Sequence, residues 1–60
     1  MTRTEILALA ITAARNIWCE SHDRLLEHPG NTIFQNREAQ NWRRLIELEL
    51  LWQREQAVQV

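Results

Sequence analysis

The feature that most constrains this chain is a single break near its middle. The only proline and the only glycine among its 60 residues are adjacent, at Pro29 and Gly30. A residue that precedes proline is driven out of the helical region, and glycine readily adopts the left-handed conformation that ends many helices. Long stretches without either residue lie on both sides of the break. The sequence therefore predicts two long helices joined by a short turn.

The first helix has a clear start signal. Thr2 and Glu5 have the spacing of a capping box, and Met1 and Ile6 are placed as the hydrophobic staple that often accompanies it. We therefore expect the first helix to cover about residues 2–28 and the turn to cover residues 29–31.

Two residues compete to cap the second helix. Asn31 and Thr32 both have side chains that cap well, and Thr32 is favoured because Gln35 follows three residues later. Asn36 is an alternative, later start. The predicted second helix covers about residues 32–56, its last residues are expected to fray, and the whole chain of residues 1–60 forms one domain.

Apolar residues recur at helical spacing on two strips of each helix. The seam that would join the helices consists of Leu7, Ile11, Ala14, Trp18, Ser21 and Leu25 on the first helix and Phe34, Trp42, Leu45, Leu48 and Trp52 on the second. Beside it runs a second stripe made of Ile6, Ala10, Ala13 and Ile17 on the first helix and Ile46, Leu50 and Ala57 on the second. Trp18, Trp42 and Leu45 are the expected core.

A hairpin covers only one strip of each helix, so the second stripe requires another partner. Chains this short bury a small fraction of their surface and usually need an added staple, and a single cysteine excludes an internal disulfide. The predicted fold is therefore all-α, an antiparallel two-helix hairpin that assembles as a homo-oligomeric helical bundle. A dimeric four-helix bundle is favoured because two-fold pairing is the commonest closed symmetry.

The antiparallel arrangement also predicts neighbours. Residues whose numbers add up to roughly 60 should lie level across the hairpin, given equal rise along both helices. Trp18 should then face Trp42, and Ala8 should lie level with Trp52.

Charge and cysteine content limit the partners and the compartment. The net charge is -1, from seven arginines and eight acidic residues, so no overall field attracts nucleic acid or an anionic membrane. The apolar run over residues 6–14 is far shorter than the roughly 20 residues of a membrane span. It also follows Arg3 as a signal peptide would, but Glu5 cancels that charge. The lone Cys19 suits a reducing compartment, and we expect the protein to be cytoplasmic without a membrane partner.

The candidate ligand site is a belt of cations and indole rings at mid-length. It consists of Arg15 and Trp18 on the first helix and Trp42, Arg43 and Arg44 on the second. Guanidinium groups bind phosphate or carboxylate through paired hydrogen bonds, and indole rings stack on bases. Such a belt could hold a nucleotide, RNA or an acidic partner.

Packing is the simpler interpretation of the same residues. Trp18 and Trp42 would then anchor the core, Arg15 would lie over the Trp18 ring, and Arg43 would pair with Glu47 one turn along. Arg15, Arg37 and Arg54 have no acidic residue three or four positions away. These arginines are the ones most available to outside partners.

Metal binding and catalysis find little support. Cys19 and His22 stand one turn apart, as half of a tetrahedral metal site would, but a zinc framework normally has four ligands in one chain. We interpret them as a buried structural thiol beside a solvated histidine, and expect no metal and no cofactor. The sequence also lacks a glycine-rich phosphate loop.

The functional expectation is therefore a non-enzymatic interaction or regulatory protein. Its partners would be other copies of itself and another macromolecule, most simply another protein. The alternatives are an anionic small ligand such as a nucleotide, held at an Arg/Trp-lined subunit interface, or structured RNA.

Overall fold

A computed structural model of the chain describes residues 1–58 and contains two helices packed side by side. Helix α1 spans Arg3–Glu27 and helix α2 spans Thr32–Val58. Together they form a rod 46 Å long, 17 Å wide and 12 Å thick. The predicted all-helical hairpin is confirmed. The expected fraying at residues 59 and 60 lies outside the described residues.

Helix α1 begins with the predicted cap. Thr2 has an extended backbone, and its Oγ1 accepts a hydrogen bond of 3.1 Å from the Glu5 N–H. Its carbonyl accepts the first helical bond, from the Ile6 N–H. The Glu5 carboxylate in the first turn adds a favourable interaction with the positive end of the helix dipole.

The helix ends because of the proline rather than the glycine. His28, which precedes Pro29, leaves the helical region at φ -134° and ψ 66°, while its N–H still reaches the carbonyls of Arg24 and Leu25. No residue among 1–58 has a positive φ, Gly30 included, so the predicted left-handed glycine is wrong. The steric effect of the proline ring on its predecessor is enough to end α1.

Asn31 caps helix α2, and the preference for Thr32 is wrong. The Asn31 Oδ1 accepts a hydrogen bond of 3.1 Å from the Phe34 N–H, and the Asn31 carbonyl accepts from the Gln35 N–H. Gln35 does not complete a capping box, because its side-chain amide donates to the Pro29 carbonyl at 2.8 Å. Helix α2 nevertheless begins at the predicted residue, Thr32.

A single narrow seam joins the helices. Its inward positions recur every three or four residues: Thr4, Leu7, Ile11, Ala14, Trp18, Ser21 and Leu25 on α1, and Phe34, Glu38, Asn41, Leu45, Leu48, Trp52 and Glu55 on α2. Only Ala14, at 6% exposure, and Leu45, at 4%, are buried among the hydrophobic residues described. These two lie level across the hairpin, so a small side chain on α1 leaves room for a large one on α2.

Trp42 is not in the core of this hairpin, contrary to the sequence-based expectation. Its side chain remains 45% exposed, whereas Trp18 is half-buried. The seam on α2 passes from Glu38 to Asn41 and then to Leu45, and Trp42, about 100° from Asn41 around the helix, lies at its edge.

Within residues 1–58, neither helix contains a stretch long and apolar enough to cross a membrane.

The two candidate caps can be separated by mutation. We expect Asn31→Ala to lower the free energy of unfolding by about 1 kcal/mol, because the Phe34 N–H loses its acceptor. Thr32→Ala is the matched control and should change stability by a smaller amount. Urea denaturation at one fixed protein concentration measures both. A larger loss for Thr32→Ala than for Asn31→Ala would contradict the structure.

Candidate functional site

The two central indole rings meet across the hairpin, as the sequence predicts. The ring centroids of Trp18 and Trp42 are 5.0 Å apart, with an angle of 50° between their planes. Trp18 also stacks on His22 of its own helix, at 5.0 Å and 23°. Tilted and offset ring pairs of this kind are favourable beyond the area they bury. The result is an aromatic cluster at mid-length with one face open to solvent.

A carboxylate from α2 holds this cluster in place. Glu38 Oε1 accepts a hydrogen bond of 2.7 Å from Trp18 Nε1, and the same oxygen lies 3.9 Å from His22 Nδ1. His22 Nδ1 is covered and has no hydrogen-bond partner within the described part of the chain. The bond to Trp18 fixes the orientation of the indole ring, because a charge-assisted hydrogen bond is stronger than a neutral one.

Glu38 is the residue that sequence reasoning missed. A signal for it exists, since Glu38 lies seven residues before Leu45 and fourteen before Trp52, on the same seam. An acidic residue at an inward position is easily assigned to the surface from its type alone. Its position becomes understandable once Trp18 is placed opposite as a donor that needs an acceptor.

Arg15 is engaged in a contact that spacing along one helix could not reveal. Its Nη2 lies 3.3 Å from Glu49 Oε1 on α2, which is 34 positions away in the sequence. The expectation that Arg15 is available to outside partners is therefore wrong for this hairpin. Arg3 makes a similar contact, with its Nε 3.0 Å from Glu55 Oε1. Both pairs are largely exposed, so each contributes about 0 to 1 kcal/mol.

Arg43 and Arg44 remain without carboxylate partners among residues 1–58. The expected pairing of Arg43 with Glu47 is not formed. Both arginines line one open depression on the outer surface of α2, next to Leu48 and Leu51. Arg43 also lines a second depression, which contains Trp42.

The structure therefore brings together only part of the predicted belt. Trp18 and Trp42 are in contact, and Trp42 adjoins Arg43. Arg15 lies on the side of the hairpin where Glu49 is, and Arg44 is rotated about 100° from Arg43 along the helix. The belt is thus an aromatic pair with one adjacent cation rather than a closed ring of five residues.

A groove lined by charges of both signs lies close to the turn. Arg24 of α1 and Arg37 of α2 line it together with Glu20, Ile17 and Phe34. Neither arginine has a carboxylate within ion-pair distance in the described structure. The groove therefore offers two guanidinium groups without an internal partner beside one carboxylate.

The proposed half metal site is not completed within one chain. Cys19 is exposed, and His22 is half-buried against Trp18, so the expectation of a buried thiol beside a solvated histidine is wrong. Within residues 1–58 there is no group of three His, Cys, Asp or Glu residues close enough together to hold a metal ion.

Comparison with known proteins does not place the chain in a family. No family model matches it, and neither a curated protein nor a solved structure matches it significantly.

The role of Glu38 can be tested with two matched substitutions. Trp18→Phe keeps an aromatic ring but removes the N–H that binds Glu38, and should lower the free energy of unfolding by about 1 to 3 kcal/mol. Trp42→Phe replaces an exposed indole that has no such bond with a smaller ring, and should lower the free energy of unfolding by less. Chemical denaturation followed by circular dichroism measures both. Equal losses would show that the bond to Glu38 contributes nothing particular.

Proposed function

We propose that this chain is a non-enzymatic interaction protein that works as a homo-oligomeric helical bundle and binds another macromolecule. The observation that carries the proposal is the amount of surface the single hairpin leaves exposed. An unpaired cysteine at Cys19 fits a reducing compartment such as the cytoplasm.

The exposed surface is too large for a compact monomer. The chain has an accessible surface of 4862 Å². A typical compact monomer of 7.2 kDa exposes about 4,100 Å². The excess of about 700 Å² is close to the roughly 800 Å² that each partner buries in a standard stable interface. One interface per hairpin would therefore reduce its accessible surface to about that of a compact monomer of the same mass.

Much of this excess surface is apolar. The large hydrophobic side chains left exposed are Met1, Ile6, Leu9, Ile17, Leu26, Ile33, Trp42, Leu50 and Leu51. Covering such side chains is the main driving force of association, at about 25 cal/mol for each Å² removed from water. They lie on more than one side of the rod, which leaves surface for a second partner after self-association.

Self-association is the first consequence to test. We expect sedimentation equilibrium to show a species heavier than 7.2 kDa at micromolar concentration, with a dimer as the first choice. The thermal midpoint should rise with protein concentration, because folding and association are linked. A monomer whose melting temperature does not depend on concentration would contradict the proposal.

Binding of an anionic ligand is the second candidate, and the lack of carboxylate partners for Arg43 and Arg44 favours it. A guanidinium group without an internal partner can make paired hydrogen bonds to a phosphate. A nucleotide, or the backbone of a structured RNA, would supply such phosphates. The depression that both arginines share with Leu48 and Leu51 is the place on α2 where it would bind.

The test compares two double variants. Arg43→Gln with Arg44→Gln should weaken binding of ATP or of an RNA hairpin at low salt by about tenfold or more, with helicity and copy number unchanged. Arg3→Gln with Arg15→Gln removes the same charge from arginines already paired with glutamates and should have a smaller effect. Fluorescence anisotropy measures the affinity. A parent protein that binds neither probe, or a first variant that fails to assemble, would defeat this candidate.

A further inference from the structure

We infer that a second copy of this chain packs on one particular side of the hairpin. The contact surface, called here the dimer face, consists of Ile6, Ala10, Ala13 and Ile17 of α1 with Leu48 and Leu51 of α2. This inference rests on the proposed self-association and goes beyond it by naming the side that is used. The other side of the hairpin then stays available to a different partner.

The six residues share one side because of helical spacing. Ile6, Ala10, Ala13 and Ile17 recur at intervals of four and three residues, which places them in one row on α1. On α2, the positions 41, 44, 48 and 51 recur at intervals of three, four and three, so Leu48 and Leu51 continue the row that begins with Asn41 and Arg44. Ile17 and Asn41 line a common groove, so the two rows lie on the same side of the hairpin.

The ends of this side are marked by charge. At the open end of the hairpin the two helices are joined by the ion pair of Arg3 with Glu55. Toward the turn, the charged groove lined by Arg24, Arg37 and Glu20 begins. The surface between these charged ends contains the apolar rows, with Arg44 at its border. A partner that covers it removes apolar surface from water and leaves the charged groups at the rim, as stable interfaces do.

The opposite side is less suited to a second copy. Arg15 and Arg3 flank the seam of α1 on opposite sides, because twelve positions separate them and each residue turns the helix by about 100°. The ion pair of Arg15 with Glu49 lies in the central part of the opposite side. The two residues line a depression there, together with Ala8 and Trp52. Covering that side would remove both charges from water, and the cost of desolvation often exceeds the attraction of the pair.

The shape of the dimer face also favours an identical partner. Ala10 and Ala13 form a shallow part of the row between the larger Ile6 and Ile17. Leu48 and Leu51 stand on the neighbouring helix. In a two-fold contact every residue is offered twice, so the large side chains of one copy can fit against the alanines of the other. The excess surface of about 700 Å² per hairpin is close to the roughly 800 Å² that one standard contact covers on each copy.

Two pairs of adjacent residues test the assignment. Leu51→Asp places a carboxylate on the dimer face, and Leu50→Asp places the same group one position along, on a different side of the helix. Leu51 is 42% exposed and Leu50 is 50% exposed, so the single hairpin should tolerate either change about equally. On α1, Ala13→Glu belongs to the dimer face and Thr12→Glu is its neighbour outside it. Both positions are exposed.

We expect Leu51→Asp and Ala13→Glu each to raise the dissociation constant of the dimer by about 100-fold or more, because an unpaired carboxylate becomes buried at the contact. Leu50→Asp and Thr12→Glu should change it by less than about tenfold. Sedimentation equilibrium gives the constants, and circular dichroism confirms that each variant is helical. If a variant is monomeric and also loses helicity, the parent protein serves as the reference. Diluting the parent until its dimer dissociates, while following its helicity by circular dichroism, shows whether folding requires the dimer.

The outcomes separate this inference from the proposed function. A monomeric parent chain overturns both. A dimeric parent that is disrupted by Leu50→Asp or Thr12→Glu, but not by the two dimer-face variants, overturns the choice of side and leaves self-association standing. A dimer unaffected by all four variants also overturns the choice of side.

Discussion

Everything in this molecule depends on how little two helices can bury between them. The seam has a small residue, Ala14, facing a large one, Leu45, and these are the two hydrophobic residues described that are buried. On either side of that point the inward residues remain partly accessible to water. Hydrophobic stabilisation scales with the apolar area removed from water, so the isolated hairpin is a marginal fold. Its exposed apolar rows are the remaining source of stability.

The polar contacts of the seam have a different role from its apolar ones. Glu38 binds Trp18 from the facing helix, and Glu49 and Glu55 bind two arginines across the two edges of the seam. Exposed pairs of this kind contribute little free energy. Among the residues described, they leave five cations without an internal partner: Arg24, Arg37, Arg43, Arg44 and Arg54. The surface that is available to partners is therefore the part of each helix that lies outside the seam.

The sequence is sufficient for the fold because its signals are local. The capping pattern at Thr2, the break before Pro29 and the apolar spacing along each helix need no knowledge of the other helix. The errors occur where two local signals compete. Asn31 and Thr32 both cap well, and the outcome depends on Gln35 turning to the Pro29 carbonyl.

The candidate site was less predictable, since it depends on contacts between the helices. The partner of Arg15 is far away in the sequence, and no rule of spacing within one helix reaches it. Trp42 has the residue type of a core anchor, yet the seam passes beside it. The level of the two indole rings was predictable, because it follows from the turn and the helical rise alone.

The two ion pairs across the seam have a consequence for the register of the hairpin. An apolar seam that repeats every seven residues looks nearly the same after a shift of one repeat, so apolar contacts alone specify the alignment of the helices poorly. Such a shift would bring Leu48 opposite Arg3, and either Trp42 or Gln56 opposite Arg15, in place of the glutamates. The two ion pairs add little to stability, but they favour the observed alignment over one shifted by seven residues. They act at two places, near the open end of the hairpin and at mid-length.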